Sequence, residues 1–231
     1  MSRRNKLQKF SEILSFPNVY ENFNATTPGL SGENGVPVDL KGKWNTFHFQ
    51  NDNPITLELA CGKGDYAVGL AQRFPERNFI GVDIKGARIW RGAKTALEQN
   101  LGNVAFLRTR IEQVALFFDE NEIDEIWITF PDPFLRKNKT NRRLTSAIFL
   151  SHYRKILKKE GLIHLKTDDT VLYEFTLEVI AGQENYQTIY HNDDIYAKPL
   201  SIPELEIKTF YEKQHLAAGK NIKYIRFRLT S

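Results

Sequence analysis

One short stretch, residues 55–64, limits the folds open to this chain more than any other. Apolar residues alternate at positions 55, 57 and 59 as in a buried strand, Gly62 and Gly64 follow, and helical spacing resumes over residues 66–73. A strand, a glycine turn and a helix in this order are typical of nucleotide-binding α/β folds, because glycine lets a ligand approach the backbone closely. We therefore expect a ligand beyond the carboxyl end of this first strand.

The acidic residue inside that strand, Glu58, indicates which nucleotide the turn binds. The Gly-x-Gly-x-x-Ala motif that begins at Gly62 also fits a dinucleotide, and Asp83 lies at a suitable spacing for a ribose contact to either ligand. A buried carboxylate would repel the pyrophosphate of NAD but attract the sulfonium and ammonium groups of S-adenosylmethionine, so we favour the methyl donor. The alternatives are structural: Glu58 caps a helix or pairs with a basic group such as Lys63, and Asp83 caps the next helix.

Composition narrows the class of protein without identifying a partner. The chain has 231 residues, a net charge of +4 and one cysteine, Cys61, which excludes an internal disulfide and favours a reducing, cytoplasmic setting. No apolar run approaches the ~20 residues of a membrane span, and the five histidines lack metal-ligand spacing, so we expect neither a membrane anchor nor a metal. We expect a basic N-terminal arm and loop over residues 1–53 and one domain over residues 54–231, while monomer and homodimer both stay open.

The N-terminal region contains two basic features. Arg3, Arg4, Lys6 and Lys9 make a short amphipathic segment basic, and a helix docked on the domain is favoured over a dedicated RNA arm. Residues 41–45 combine two lysines with a tryptophan, which indicates either a stacking platform or a hydrophobic plug.

Strands and helices alternate strictly after the glycine turn. Strands are expected at residues 55–59, 78–83, 104–109, 125–130, 161–167, 186–191 and 222–229, and helices at residues 66–73, 87–100, 111–118, 147–157 and 171–181. This order predicts a doubly wound, mostly parallel, seven-stranded α/β sheet. The last two strands lack a clear crossover helix, so we expect an antiparallel edge strand, as in the Rossmann-like class I S-adenosylmethionine-dependent methyltransferases.

A loop with two prolines follows the fourth strand and presents one acidic residue. In Phe-Pro-Asp-Pro-Phe, residues 130–134, the prolines exclude helix and hold the chain extended around Asp132. A rigid loop at the ligand edge of the sheet suits a residue that contacts substrate. The alternative is a proline-fixed turn with a solvated aspartate.

The same loop leads into the strongest charge feature of the chain. Residues 136–159 contain no acid and nine bases: Arg136, Lys137, Lys139, Arg142, Arg143, Arg154, Lys155, Lys158 and Lys159. We discount Lys158 and Lys159 because cations are favoured at the helix C-terminus expected there. The remaining density predicts a polyanionic, phosphate-bearing partner.

Two further segments carry candidate polar groups. Asp168 follows the fifth strand and points to the ligand edge, although capping of the next helix is an alternative that Asp169 or Thr170 could also fulfil. Residues 209–212, Thr-Phe-Tyr-Glu, rank low from the residues alone.

Taken together, these motifs resemble the bacterial tRNA (guanine-N7)-methyltransferases over nearly the whole chain. The donor loop is generic to methyltransferases, whereas the Pro-Asp-Pro block with its Arg-Arg-Leu tail is specific to that family. The matching blocks are Gly-Lys-Trp-Asn-Thr at 42–46, Asn-Asp-Asn-Pro-Ile at 51–55, Leu-Glu-Leu-Ala-Cys-Gly-Lys-Gly at 57–64, Ile-Gly-Val-Asp at 80–83, Phe-Pro-Asp-Pro-Phe-Leu-Arg-Lys at 130–137, Asn-Arg-Arg-Leu at 141–144, Lys-Thr-Asp at 166–168 and Thr-Phe-Tyr-Glu at 209–212.

The resemblance implies transfer of the methyl group of S-adenosylmethionine to N7 of a variable-loop guanosine, position 46, in tRNA. It implies that Asp132 is the catalytic residue. Donor-binding residues would be Glu58, Gly62, Gly64, Asp83, Arg110, Ile111 and Asp132. Substrate-binding residues would be Arg136, Asp168, Thr209, Phe210, Tyr211 and Glu212, and Lys137, Lys139, Arg142 and Arg143 would hold the tRNA backbone.

The chain departs from the family pattern at five positions. Ala60 stands where glycine is usual, Asp83 replaces a common glutamate, Phe134 replaces tryptophan and Arg136 replaces lysine. Arg110 stands where the family usually has an aspartate near the adenine of the donor, and a cation cannot accept the adenine amino protons. Either a backbone carbonyl near Ile111 accepts them, or donor affinity is altered. An NAD-dependent dehydrogenase and a non-catalytic RNA-binding module with a methyltransferase fold are the rival functions.

Overall fold

A computed structural model describes residues 6–230 of the chain. Arg3 and Arg4 of the expected basic arm lie outside the described residues. Contacts group the chain into two compact units, which divide between Asp119 and Glu120. In the described part of the chain, no helix is long and apolar enough to cross a membrane.

The unit that ends at Asp119 contains a mixed sheet with helices packed on it. Its strands lie in the order β3-β2-β1-β6-β5-β4. Strands β1, β6, β5 and β4 are parallel to one another, and the short β2 is antiparallel to both of its neighbours, β1 and β3. The elements are α1 (Lys6–Ile13), β1 (Val19–Glu21), β2 (Leu30–Ser31), β3 (Pro37–Val38), β4 (Ile55–Leu59), α2 (Asp65–Arg73), β5 (Asn78–Asp83), α3 (Gly86–Glu98) and β6 (Val104–Arg108).

The unit that begins at Glu120 contains a four-stranded sheet in the order β7-β8-β10-β9. Strand β7 is parallel to β8, and β10 runs antiparallel to both β8 and β9. The elements are β7 (Ile123–Thr129), α4 (Ala147–Tyr153), β8 (Leu157–Thr167), α5 (Thr170–Ala181), β9 (Tyr186–Asn192), α6 (Phe210–Ala217) and β10 (Lys223–Leu229).

These elements confirm the predicted fold class. All seven expected strands are present, most are parallel, and the expected antiparallel edge is formed by β10 and β9. Every residue of β4 and β5 is buried, as the central strands of an α/β sheet require.

Three short strands, one helix end and helix α6 differ from the sequence prediction, which gave no helix between the last two strands. Strands β1 to β3 lie in the region expected to be helical arm and loop, and with two or three residues each they are too short to show alternation. Helix α4 ends at Tyr153, and β8 already begins at Leu157, which pairs with Ile123 of β7. Lys158 and Lys159 therefore lie in a strand, contrary to the expected helix C-terminus.

The tryptophan near the N-terminus is a plug and not a platform. Trp44 lies in a short π-helical turn, Trp44–Phe49, and its side chain is fully buried. Its indole stacks on Phe118 at 5.3 Å and donates a hydrogen bond to the Phe117 carbonyl at 2.9 Å. The residues before β4 are therefore packed in the same unit as β4 itself.

Candidate active site

The turn between β4 and α2 has an unusual backbone. Ala60, Gly62 and Gly64 all take left-handed conformations, with φ of 58°, 57° and 71°. The left-handed region costs a residue with a Cβ about 1–2 kcal/mol, which explains why glycine suits position 60 better than alanine. At Gly64 a Cβ would also lie 2.6 Å from the ring of Phe106, so only glycine fits there.

Glu58 lies beside this turn at the end of β4 and is only 2% exposed. Its Oε2 accepts a hydrogen bond from the amide of Ala67, in the first turn of α2, at 2.9 Å. The capping alternative for Glu58 is therefore observed. A carboxylate has about four acceptor positions, so the bond from Ala67 does not by itself exclude a ligand contact.

Asp83, the last residue of β5, closes the turn from the other side. Its Oδ2 accepts from the amide of Gly62 at 3.0 Å, and its Oδ1 accepts from the amide of Lys85 at 2.8 Å. The carboxylate thus fixes both the glycine turn and the entry to α3. Asp83 is 7% exposed, which places two nearly buried carboxylates at one turn.

Cys61, which lies between Glu58 and Asp83 in the sequence, is buried beside both carboxylates. Burial, together with the nearby carboxylates Glu58 and Asp83, raises the pKa of the Cys61 thiol well above its usual value. The thiol therefore stays neutral. Two nearly buried carboxylates at one turn suit a cationic ligand and oppose a pyrophosphate.

The segment after β6 carries the two residues expected near adenine. Arg110 is exposed, and Ile111 begins a short 3₁₀ helix, Ile111–Leu116. Asn22 holds this segment, since its side-chain amide donates to Thr109 Oγ1 at 3.1 Å and to Gln113 Oε1 at 3.0 Å. Sequence reasoning missed Asn22 and Gln113, because 91 positions separate them and neither belongs to a motif.

The proline loop that carries Asp132 is strained at both ends. Phe130 and Phe134 have φ of 49° and 41°, a region that non-glycine residues rarely occupy. Asp132 is exposed, and its Oδ1 accepts a hydrogen bond from the amide of Phe134 at 3.1 Å. Strain of this kind persists only where the surroundings hold it, and it is common at functional sites.

A cavity of about 410 Å³ opens beside Asp132. One carboxylate, an aromatic ring and three cations line it, and the guanidinium of Arg142 lies 5.7 Å from the centre of the Phe134 ring. The lining residues are Asp132, Pro133, Phe134, Leu135, Arg136, Lys139 and Arg142. This combination can bind a base, a sugar and a phosphate group of a nucleotide.

Arg143 has a different place from its neighbours and requires a correction. It is only 3% exposed, whereas Arg136, Lys137 and Arg142 are exposed. Its guanidinium donates to the carbonyl oxygens of Pro133 at 2.8 Å and Phe134 at 3.3 Å, and it lies 4.4 Å from the centre of the Phe175 ring. We therefore assign Arg143 to holding the Asp132 loop and not to the tRNA backbone.

Asp168 is engaged by two basic side chains. Its Oδ2 lies 2.5 Å from Lys220 Nζ and 3.2 Å from His215 Nδ1, and its side chain is 16% exposed. Asp169 caps α5 instead, because its Oδ1 accepts from the amide of Leu172 at 2.7 Å. The imidazole of His215 also stacks on Phe130 at 5.6 Å, which connects Asp168 to the start of the Asp132 loop.

Residues 209–212 divide into two buried and two exposed side chains. Thr209 caps α6 by accepting from the amide of Glu212 at 3.1 Å, and the Glu212 side chain is fully buried. Phe210 and Tyr211 are 45% and 40% exposed and pack edge to face at 5.7 Å. The two aromatic rings are therefore the part of this segment that a ligand can reach.

The partner of Glu212 is a lysine to which the sequence reasoning gave no role. Lys166, in β8, is fully buried, and its Nζ lies 2.8 Å from Glu212 Oε1. Burial lowers the pKa of Lys166 to about 8, although the Glu212 carboxylate opposes the shift. The sequence did contain a signal for this buried ion pair: Lys166 stands inside an apolar strand, directly before Thr167 and Asp168, and lysine is rarely buried without a partner.

Comparison with known proteins agrees with this geometry. A family model described as "Putative methyltransferase" matches residues 52–225. A tRNA (guanine-N(7)-)-methyltransferase of Christiangramia forsetii is 48% identical over 230 residues, covering 99% of this chain and all of the relative. The corresponding protein of Bacteroides thetaiotaomicron is 47% identical over 226 residues, covering 98% of this chain and 86% of the relative.

The chain belongs to the tRNA (guanine-N(7)-)-methyltransferase family. The resemblance drawn from the sequence motifs is thus confirmed, and membership of this family decides against a dehydrogenase. Among solved structures, the 16S rRNA methyltransferase KamB superposes with a TM-score of 0.62 at 12% identity, covering 82% of this chain and 93% of that structure. This likeness supports the methyltransferase fold.

Proposed function

We propose that this chain transfers the methyl group of S-adenosylmethionine to N7 of a guanosine in tRNA. The observation that carries the proposal is the strained Pro-Asp-Pro loop, which presents Asp132 in a cavity with an aromatic ring and three cations. The family name supports the substrate and the atom. We further propose position 46 of the variable loop as the site, and the cytoplasm as the location.

The glycine turn fits the methyl donor. Glu58 and Asp83 provide two nearly buried carboxylates at one turn, and the glycine backbone leaves room for a ligand. In this proposal Glu58 faces the cationic part of the donor and Asp83 binds the ribose hydroxyls. Because the Arg110 guanidinium cannot accept protons from adenine, we assign that role to backbone near Ile111. When bound, the donor supplies an electrophilic methyl group.

The chemistry of the acceptor determines what the protein must do. Guanine N7 carries an in-plane lone pair and no proton, so no general base is needed. Asp132 accepts hydrogen bonds from guanine N1–H and the 2-amino group, which orients the base and offsets the positive charge that develops on the purine. Asp168 shares this task, and its contacts with His215 and Lys220 keep the carboxylate in place.

The basic segment holds the tRNA backbone. Arg136, Lys137, Lys139 and Arg142 lie on or next to the Asp132 loop and can contact phosphates. The target base has to leave its stack before N7 and the Watson–Crick edge are both accessible. The half-buried ring of Phe134 lines the cavity and suits an unstacked base.

The test is methyl transfer to tRNA by Asp132→Asn. We expect kcat/KM to fall at least about 100-fold, because the amide no longer offsets charge and presents donors to the base. Donor affinity by calorimetry should stay within about threefold of the parent. The matched control is Asp193→Asn, an exposed aspartate elsewhere in the same unit.

Two outcomes would contradict the proposal. Activity of Asp132→Asn within a few-fold of the parent would exclude Asp132 as the catalytic residue. Tight binding of tRNA by the parent protein without any methyl transfer would favour the non-catalytic RNA-binding module.

A further inference from the structure

We propose that Lys166 is a positioning residue for tRNA, which sets the place of the exposed pair Phe210 and Tyr211. The inference rests on the proposed function, because it assigns these two rings to RNA. Lys166 itself touches no substrate and acts through the segment that carries the rings.

Three hydrogen-bond partners of the Lys166 ammonium lie in one short segment. Nζ donates to the carbonyl oxygens of Leu205 at 3.2 Å and Ile207 at 3.1 Å, and to Glu212 Oε1 at 2.8 Å. An ammonium has three donors, and three contacts of Lys166 are made with residues 205–212. The side chains of Lys166 and Glu212 are both fully buried, and water cannot replace these contacts.

The rings of Phe210 and Tyr211 lie between two fixed points. Thr209 caps the helix immediately before them, and Glu212 is held immediately after them by Lys166 and by the Tyr196 hydroxyl, which donates to Oε1 at 2.6 Å. The backbone under the rings is thereby fixed while the rings stay exposed. Exposed aromatic rings on a fixed backbone are the usual platform for unstacked RNA bases.

The strand that carries Lys166 ends at Thr167, and Asp168 follows it directly. Lys166 contacts Glu212 and Asp168 contacts His215, so the end of β8 and the residue after it hold helix α6 at two points three positions apart. A buried ion pair is weak support for stability, since apolar side chains of similar size often serve as well. Lys166 instead connects the strand end next to Asp168 with the helix that carries Phe210 and Tyr211, and this position supports a functional role.

The experiment combines Lys166→Met with the double substitution Phe210→Ala, Tyr211→Ala. Each variant should raise the KM for tRNA at least about tenfold while kcat and donor affinity stay within about threefold. Because Lys166 acts through the two rings, the triple variant should be no worse than the double variant, a non-additive result. Lys166→Met combined with Glu212→Gln removes both charges and serves if the single variant fails to fold.

The inference is overturned if a folded Lys166 variant keeps the parent KM for tRNA, or if the effects multiply in the triple variant. A rise in KM accompanied by a fall in both kcat and donor affinity would also overturn it, because that pattern indicates a general loss of structure. Failure of the parent protein to methylate tRNA would instead refute the proposed function, so the two failures are distinguishable.

Discussion

Single residues at the glycine turn serve the fold and the ligand with the same atoms. Glu58 caps α2, and Asp83 fixes the turn to the end of β5. These amide contacts stabilise buried carboxylates that would otherwise be costly. The fixed carboxylates are then already in place when a cationic ligand arrives, which reduces the reorganisation that binding requires.

Replacing Glu58 by glutamine tests this dual role. The amide oxygen can still accept from Ala67, so the melting temperature should change little, while the negative charge is lost. We expect the Kd for S-adenosylmethionine, measured by calorimetry, to rise about tenfold or more, equivalent to about 1.4 kcal/mol. The exposed Glu76→Gln is the control. Unchanged donor affinity in Glu58→Gln would mean that this carboxylate only caps the helix.

Arg142 and Arg143 are adjacent in sequence and opposite in role. For Arg143→Ala we expect a loss of about 1–3 kcal/mol in the free energy of unfolding, because the Pro133 and Phe134 carbonyls lose their donor. For Arg142→Ala we expect unchanged stability and a decrease of about 1 in the slope of log K against log salt for tRNA.

Urea unfolding and tRNA binding at several salt concentrations measure both quantities. Each arginine is the control for the other, since the two substitutions remove the same side chain one position apart. A reduced salt slope in Arg143→Ala without loss of stability would restore this arginine as a phosphate ligand.

At the scale of elements, the segment before β4 is held by contacts that no local pattern reveals. The Tyr20 hydroxyl of β1 lies 2.8 Å from Nδ1 of His48 in the π-helical turn. Burial lowers the pKa of His48 to about 4 and raises that of Tyr20 to about 12. The imidazole is therefore neutral near pH 7, and its Nδ1 shares one hydrogen bond with the Tyr20 hydroxyl.

This contact predicts an acid-sensitive contribution to stability. Below its ordinary pKa of about 6.5, His48 binds a proton in the unfolded chain but not in the folded one, so stability falls as pH decreases from about 6.5 to 4. Urea unfolding of the parent and His48→Gln at pH 7 and pH 5 measures the difference. The parent should lose more stability than the variant over this interval, and equal losses would contradict the assignment.

Elements with many residues and a clear period were predictable, and those fixed by distant partners were not. Strands β4 and β5 and helices α2 and α3 follow from their apolar spacing. Strand β1 exists because it pairs with β6, and the start of β8 is fixed by pairing with β7, which overrides the helical pattern around residue 157. The plug formed by Trp44 was one of two alternatives, and its burial against Phe117 and Phe118 decides between them.

At the scale of the whole molecule, the two compact units carry different chemistry. The unit that ends at Asp119 has the carboxylate-lined turn suited to a cationic donor, and the unit that begins at Glu120 has the basic segment and the Asp132 loop suited to RNA. A net charge of +4 conceals this separation, because the cations are concentrated over residues 136–159.

The sequence predicted which residue types occur at the candidate site but not which contacts they make. Gly62, Gly64, Glu58 and Asp83 lie together at one turn, as their spacing indicated. The burial of Arg143 could not be predicted, because it depends on carbonyl oxygens ten and nine positions away and on a ring in α5. Tertiary contacts of this kind leave no periodic trace in the sequence.

Methylation of guanosine in tRNA at N7 is tested most directly by mass spectrometry of nucleosides from unmodified tRNA that has been treated with the protein and S-adenosylmethionine. We expect 7-methylguanosine that depends on the donor and is lost with Asp132→Asn. A methyl group on any other base or atom, or no methylated nucleoside at all with a protein that binds both ligands, would contradict it.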